Sequence, residues 1–272
     1  MDKNKTKRES TPPSSLHHYT TMDTLVAILN GVTKSEEDNK FYFTFHASNA
    51  YLMNDKMEGA LLLDKFFTES QCKNEYKEKF SAMKKEKGEI YAISFCKSNN
   101  RTKFTGDIPM WGMYGDKGKG AILVFDFNKL KDYLSQHDDL CICECKYINS
   151  TELAKLITAK NTEGKEANDK KEFLSNLRDE AFKLKDSHWK YEDEWRILTT
   201  SHDPKRKYNG KGTVAYEEIK IPANCLNAII LGPLVDFDMC EKVLNIAISR
   251  LKDADSTISL DIKIKTSKLQ MR

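Results

Sequence analysis

Apolar positions along this chain recur with a period of two or in short unbroken runs, and the helical period is confined to segments dense in lysine and glutamate. Residues 16–20 (Leu16, His17, His18, Tyr19, Thr20) predict a strand. Thr21 or Asp23 then caps a short helix with Leu25, Ile28 and Leu29 on one face, and Gly31 ends it. Residues 41–45 and 89–96 predict two more strands. The run 121–125 is apolar at every position, which predicts the centre of a sheet. A short helix with Pro109 at its start carries Trp111 and Tyr114 on one side. Strands are also expected at 141–145, 191–198, 213–221, 228–231 and 258–264, and a helix at 238–251. The charge-dense stretches 61–87 and 151–186 predict surface helices with sparse buried anchors, the second broken at 161–165. Strands and helices follow one another without strict βαβ alternation, so the expected class is α+β, a mixed sheet with flanking helices.

Length and composition narrow this picture without naming a chemistry. The 272 residues suffice for a full core, and no composition break divides them. Residues 1–15 are polar and predict a disordered tail, leaving residues 16–272 as one domain. Lys and Arg number 44 against 41 Asp and Glu, so the net charge of +3 does not indicate a nucleic-acid surface. No apolar run is long enough to cross a bilayer and no signal-like start is present, so a cytoplasmic protein with no membrane partner is expected. Seven cysteines, an odd number spread along the chain, fit reduced thiols. The thiols of Cys141, Cys143 and Cys145 share one face of a strand, but no second ligand pair matches them, so no metal site is expected. The stretch 116–120 (DKGKG) is followed by a strand rather than a helix and is not a phosphate loop.

The stretch 191–198 (YEDEWRIL) holds the chain's most distinctive polar pattern. As a strand it places Glu192, Glu194 and Arg196 on one face. Carboxylates at i and i+2 then lie roughly 6.5 to 7 Å apart, near enough to act on one small substrate and to raise one pKa. The plain alternative is a solvated outer face paired with lysines. His17 and His18 point to opposite sides of their strand, so one of them is expected to be buried and hydrogen-bonded. Residues 49–59 predict a loop or short helix in which Asn54, Asp55 and Glu58 either cap a helix or contact a substrate.

Taken in order, the motifs LHHYT with its helix, Asn54-Asp55-x-x-Glu58, Ser94-Phe95, Trp111-x-x-Tyr114, Trp189-x-Tyr191-Glu192-x-Glu194-Trp195-Arg196 and Ile229-Ile230-Leu231-Gly232 resemble a bacterial family of unknown function, family 2971. A second resemblance, to the ADP-ribosyltransferase superfamily, rests on His18-Tyr19-Thr20 and on Glu192-Asp193-Glu194; Tyr42 and Tyr51 are the candidates for its middle motif. That resemblance implies a split mixed sheet with NAD bound in the cleft as substrate. Glu194 would stabilise the cation formed at the nicotinamide ribose, Glu192 would activate the attacking group, and His18 would position the cofactor. Tyr19, Thr20, Tyr51, Asn54, Asp55, Glu58, Trp111, Tyr114 and Arg196 would complete the nucleotide site. The acceptor would be a protein side chain, a nucleic acid or water, and the biological role that of a toxin or phage-defence effector. Two other readings stay open: a nucleotide-sensing or partner-binding module without turnover, and a Mg2+-dependent nuclease or nucleic-acid-binding protein.

Overall fold

A computed structural model of the chain describes residues 12–52, 60–69, 73–99, 102–103, 105–208, 210, 212–253 and 262–270. Its first half runs β1 (Ser15–Thr20), α1 (Met22–Asn30), the two-residue β2 (Thr33–Lys34), β3 (Phe41–Asn49), α2 (Ala60–Glu69), α3 (Lys73–Lys87) and β4 (Glu89–Lys97). Then come α4 (Ile108–Met113), β5 (Ala121–Asp126), α5 (Phe127–Leu134), β6 (Cys141–Glu144), β7 (Lys146–Ile148), α6 (Ser150–Glu166), α7 (Lys170–Ala181) and β8 (Leu184–Asp186). The chain closes with β9 (Glu194–Ser201), β10 (Lys205–Tyr208), β11 (Thr213–Pro222), β12 (Leu226–Leu231), α8 (Phe237–Asp253) and β13 (Lys263–Thr266).

The fold is α+β, built on a large mixed sheet. Eleven strands join it, with the main order β10-β11-β3-β4-β1-β5-β12-β13; β2 adds to β3, β9 to β4, and β6 to β9. Most pairs are antiparallel, while β12 and β13 run parallel, as do β7 and β8 in a separate two-stranded ribbon. As its apolar run requires, β5 is interior, between β1 and β12, with all of Ala121 to Phe125 buried.

Strand β4 is where the sheet divides. Along one edge it pairs with β9 from Glu89 to Cys96. Its other edge is shared: β3 takes Tyr91 and Ala92 at the start, β1 takes Cys96 and Lys97 at the end, and among the described residues Ile93 to Phe95 have no strand partner there. The two neighbours diverge from β4 and leave a gap between them.

Side chains alternate across the sheet, so each face has its own filling. One face packs Leu16, Phe45, Phe95, Phe125 and Ile197 under α1, α5 and α8. The other face is apolar at two places. Ile90, Ala92 and Leu198 lie under α2, α3, α6 and α7, while Ile122, Val124 and Ile230 lie under Trp111 of α4. Between these two patches the same face carries polar side chains: His17, Ser94, Cys96 and Glu194.

Several expectations need correction. The segment 191–198 is not one strand: residues Ser187–Glu192 form a 3-10 helix, and Asp193 turns the chain in the left-handed region (φ 45°) before β9 begins. The helix α6 runs through 161–165 without a break. Gly164 is buried there against Phe173 and the Tyr76 hydroxyl, so it serves close helix packing rather than termination. Residues Lys205–Tyr208, absent from the expected strands, add an edge strand, and α5 has no counterpart in the sequence reading. The last strand starts at Lys263; most of 258–264 lies outside the described residues. Of the expected tail, Ser15 already belongs to β1, and residues 1–11 lie outside the described set. Among the described residues no helix is long and apolar enough to cross a membrane.

Candidate functional site

A cavity of about 470 Å³ occupies the polar middle of the second face, beside the gap in the sheet. Its floor comes from alternate residues of adjacent strands: His17 and Tyr19 of β1, His46 and Ser48 of β3, Ala92, Ser94 and Cys96 of β4, and Glu194 of β9. Its roof is Met110 and Met113 of α4 with Tyr114, and its far wall is Lys185 of β8 with Trp189 and Glu192 of the 3-10 helix. His18 and Ile93, on the opposite face of their strands, also border it, because the sheet is open there.

The acidic pair converges on one buried cation. Because Asp193 reverses the backbone, Glu192 and Glu194 approach the same point from two elements instead of lying in a row. Lys185 Nζ donates to Glu194 Oε2 at 2.7 Å and also to Glu192 Oε2. From behind, Arg196 clamps Glu194 with two bonds, Nε to Oε1 at 2.9 Å and Nη2 to Oε2 at 3.0 Å. The Tyr114 hydroxyl donates to Glu192 Oε1 at 2.9 Å. All four charged side chains are 5 % exposed or less, so the two acids and two bases balance inside the protein rather than in solvent. The solvated-face alternative is therefore excluded for this pair.

Environment separates the two carboxyls. Burial pushes Glu192 up, against the pull of Lys185 and Tyr114. Burial pushes Glu194 the same way, but Arg196 and Lys185 outweigh it and hold its carboxyl down to about 2. One acid can exchange a proton under conditions where the other stays ionised, the pattern that divides acid/base from electrostatic roles.

The two histidines divide as well. His18 lies among Phe45 and Phe95, each with its ring centroid 5.5 Å away, and its Nδ1 meets the Ser94 carbonyl oxygen at 2.9 Å. A carbonyl only accepts, so Nδ1 carries the proton and Nε2 keeps its lone pair. Burial lowers its pKa, which the Ser94 carbonyl partly offsets. His17 is on the cavity face, 1 % exposed, with burial lowering it to about 4. Among the described residues, its Nε2 and the Ser94 Oγ are both buried without a hydrogen-bond partner. Cys96 stands opposite His17 in the β1–β4 register, and burial followed by the two glutamates raises its thiol well above the ordinary value.

Of the residues expected at a site, His18, Tyr19, Tyr114, Glu192 and Glu194 border this one cavity. Arg196 supports Glu194 from outside the lining. Trp111 packs edge-on against Tyr19 at 5.3 Å and donates its indole N–H to the Thr105 carbonyl, so it is a structural layer behind the roof. Thr20 is buried away from the lining. Tyr51 sits in the helical core, edge to face with Phe182 at 4.8 Å, and is not brought to the cavity. Asn54, Asp55 and Glu58 lie outside the described residues. The sequence reading missed Lys185, which looks like one more lysine in a charge-dense segment, and His17, whose signal was its i, i+2 spacing from Tyr19. Among the described residues no three His, Cys, Asp or Glu side chains gather as a metal site.

A second hollow of about 370 Å³ adjoins the first and shares His17, Tyr19, Cys96, Met110 and Glu192 with it. Glu192 can therefore be reached from both sides.

Residues 110–197 match the model of a protein family of unknown function, DUF2971. That span runs from the roof of the cavity through Lys185, Glu192, Glu194 and Arg196, so the acidic half of the site falls inside the matched region. No curated protein and no solved structure matches the chain.

Proposed function

We propose that the chain handles NAD as an ADP-ribosyltransferase-like enzyme, with the nicotinamide-ribose end of the dinucleotide seated in the cavity beside the gap in the sheet. The observation that carries this reading is the convergence of His18 and two carboxyls of opposed pKa on one hollow. Loss of nicotinamide leaves positive charge on the ribose carbon, and a fixed anion beside it lowers the barrier. Glu194, ionised throughout the working range, supplies that anion. Glu192, reachable from the adjoining hollow, accepts the proton of the incoming acceptor or water as its oxygen or nitrogen bonds to the ribose carbon. Lys185 and Arg196 fix both carboxyls in place. Met110, Met113 and Trp189 offer soft and aromatic walls for a planar ring.

A second reading, a nucleotide-binding module without turnover, is favoured by one specific observation. Both oxygens of Glu194 are already engaged, by Arg196 and Lys185, which spends much of the negative charge that a cation would feel.

One experiment separates the two. Purified protein is incubated with NAD, nicotinamide is followed, and NAD binding is measured by calorimetry in parallel. Turnover that falls at least a hundredfold in Glu192→Gln with NAD affinity within a few-fold supports the enzyme. Saturable binding with no nicotinamide release, in buffer or with protein and nucleic-acid acceptors, supports the module. Absence of NAD binding removes the enzyme, and absence of binding to a mononucleotide panel as well removes the module.

A further inference from the structure

We propose that His17 Nε2 and Ser94 Oγ are a two-point subsite for an uncharged amide edge, a C=O beside an N–H on a flat ring. The subsite belongs to the cavity of the preceding reading and rests on it only as far as that cavity takes a ligand; turnover is not required. Both residues line the cavity. His17 is 1 % exposed, and among the described residues neither its Nε2 nor the Ser94 hydroxyl has a hydrogen-bond partner. Buried polar atoms are nearly always paired, because losing water without gaining a partner costs free energy. Two such atoms on neighbouring strands, bordering one hollow, mark where a bound molecule supplies what the protein lacks.

Topology explains why the two do not satisfy each other. Cys96 stands opposite His17 where β1 and β4 still pair, and Ser94 lies two residues away on the same face of β4, past the end of that ladder. Diagonal neighbours in a paired ladder are already roughly 7–8 Å apart, and β1 is diverging here. The separation is too wide for a direct bond and leaves room for one small group between them.

The surroundings select that group. A serine hydroxyl turns to donate or to accept, and a neutral imidazole nitrogen does one or the other by tautomer, so the pair offers one donor and one acceptor in either order. An amide asks for that combination. An anion is disfavoured, since burial lowers His17 to about 4 and keeps it neutral, while Lys185 and Arg196 are engaged by Glu192 and Glu194. Met110, Met113 and Trp189 give the cavity thioether and aromatic walls, which favour a flat ring over a sugar. The carboxamide of nicotinamide and the lactam edge of a pyrimidine base both present this chemistry.

The test uses the full chain and ligand-observed NMR titrations with nicotinamide, uridine, nicotinic acid and D-ribose. Nicotinamide or uridine should bind saturably, and the tighter of the two identifies the source of the amide edge. Nicotinic acid and D-ribose should bind about tenfold or more weakly, the first for its charge and the second for want of an amide. Ser94→Ala and His17→Leu should each weaken the bound amide by about fivefold or more, the equivalent of one hydrogen bond. Urea melts of the unliganded protein give a readout that a structural hydroxyl would move the other way: Ser94→Ala should keep or raise the midpoint, because the deleted group had nothing to bond. A fall of the size that a lost buried hydrogen bond gives would mean that water alone fills the place, and overturns the proposal. So does failure of both amides to bind, wild-type affinity in either variant, or nicotinic acid or D-ribose binding as tightly as the amide. NAD titrations keep the two readings apart. NAD bound and turned over at wild-type strength by Ser94→Ala overturns the subsite alone, whereas an amide site in a protein that does not bind NAD upholds the subsite and removes the enzyme.

Discussion

His18 hands its Nδ1 proton to the main-chain oxygen of Ser94, 2.9 Å away, at the point where β1 has ceased to pair with β4. A side chain thus replaces a backbone bond that the diverging strands can no longer form, and the gap between them stays open without leaving that carbonyl unsatisfied.

Lys185→Met should be among the most damaging single changes in the chain. The methionine fits the volume but leaves Glu192 and Glu194 facing each other with only Arg196 and Tyr114 for relief. Removing one partner of a buried ionic group typically costs about 3–5 kcal/mol. Urea denaturation at pH 7 is expected to show a loss of that order. A partial rescue as the pH falls and Glu192 takes a proton would confirm the cause, whereas a pH-independent loss would point to packing instead.

Acid stability should carry the signature of His17. Its folded-state pKa, about 4, lies below the ordinary imidazole value of 6.5, so its contribution is complete above pH 6.5 and is lost as pH falls toward 4. The 2.5-unit gap corresponds to roughly 3 kcal/mol as an upper bound. Glu194, depressed from 4.5 to about 2, acts in the same sense at lower pH, its contribution complete above 4.5 and disappearing toward 2. Glu192 runs the opposite way, since a raised carboxyl favours the folded state below its unfolded value and loses that benefit as pH rises. Denaturation of His17→Gln should show a flatter dependence between pH 6.5 and 4 than the wild type. An unchanged slope would mean that His17 is not the titrating group.

Gly232→Ala should be poorly tolerated although Gly232 does not line the cavity. A Cβ there would run into the carbonyl oxygen of Gly118 and come within 3.0 Å of that of Gly120, where the turn before β5 crosses the end of β12. The Gly232 N–H also donates to the Gly120 carbonyl at 2.9 Å, so the two backbones have no slack. A loss of about 1–3 kcal/mol or more is expected in thermal or urea melts. Gly212→Ala, which meets nothing within 4 Å, is the control that should cost far less.

Sequence pattern carried the architecture well wherever burial sets the pattern. The fully apolar run of β5, the helix bearing Leu25, Ile28 and Leu29, and the α+β class could all be read directly. It failed where a residue's role depends on what approaches it from elsewhere. Gly164 reads as a break until Phe173 is seen to need the space. Lys205–Tyr208, exposed throughout, has no apolar face to announce it as a strand. The acidic pair was found, but for a partly mistaken reason: the strand spacing that suggested it is interrupted by a left-handed Asp193, and the two acids meet by folding back. Their shared cation, Lys185, comes from a segment where lysines are too common for one to stand out. Between the histidines, the motif pointed to His18, while alternation puts His17 on the open side.

Strand β4 is held on one margin by β9 and on the other by two ladders that do not touch each other along it. Among the described residues it is the one strand paired to both the β10-β11-β3 leaf and the β1-β5-β12-β13 leaf. The leaves are thus joined by one shared strand on the side of the hollow and by packed rings on the opposite face, where Phe45 meets Phe125 at 5.7 Å. A molecule lodged in the hollow should therefore slow hydrogen exchange on the facing margins of β3 and β1 and leave the β4–β9 seam unaltered.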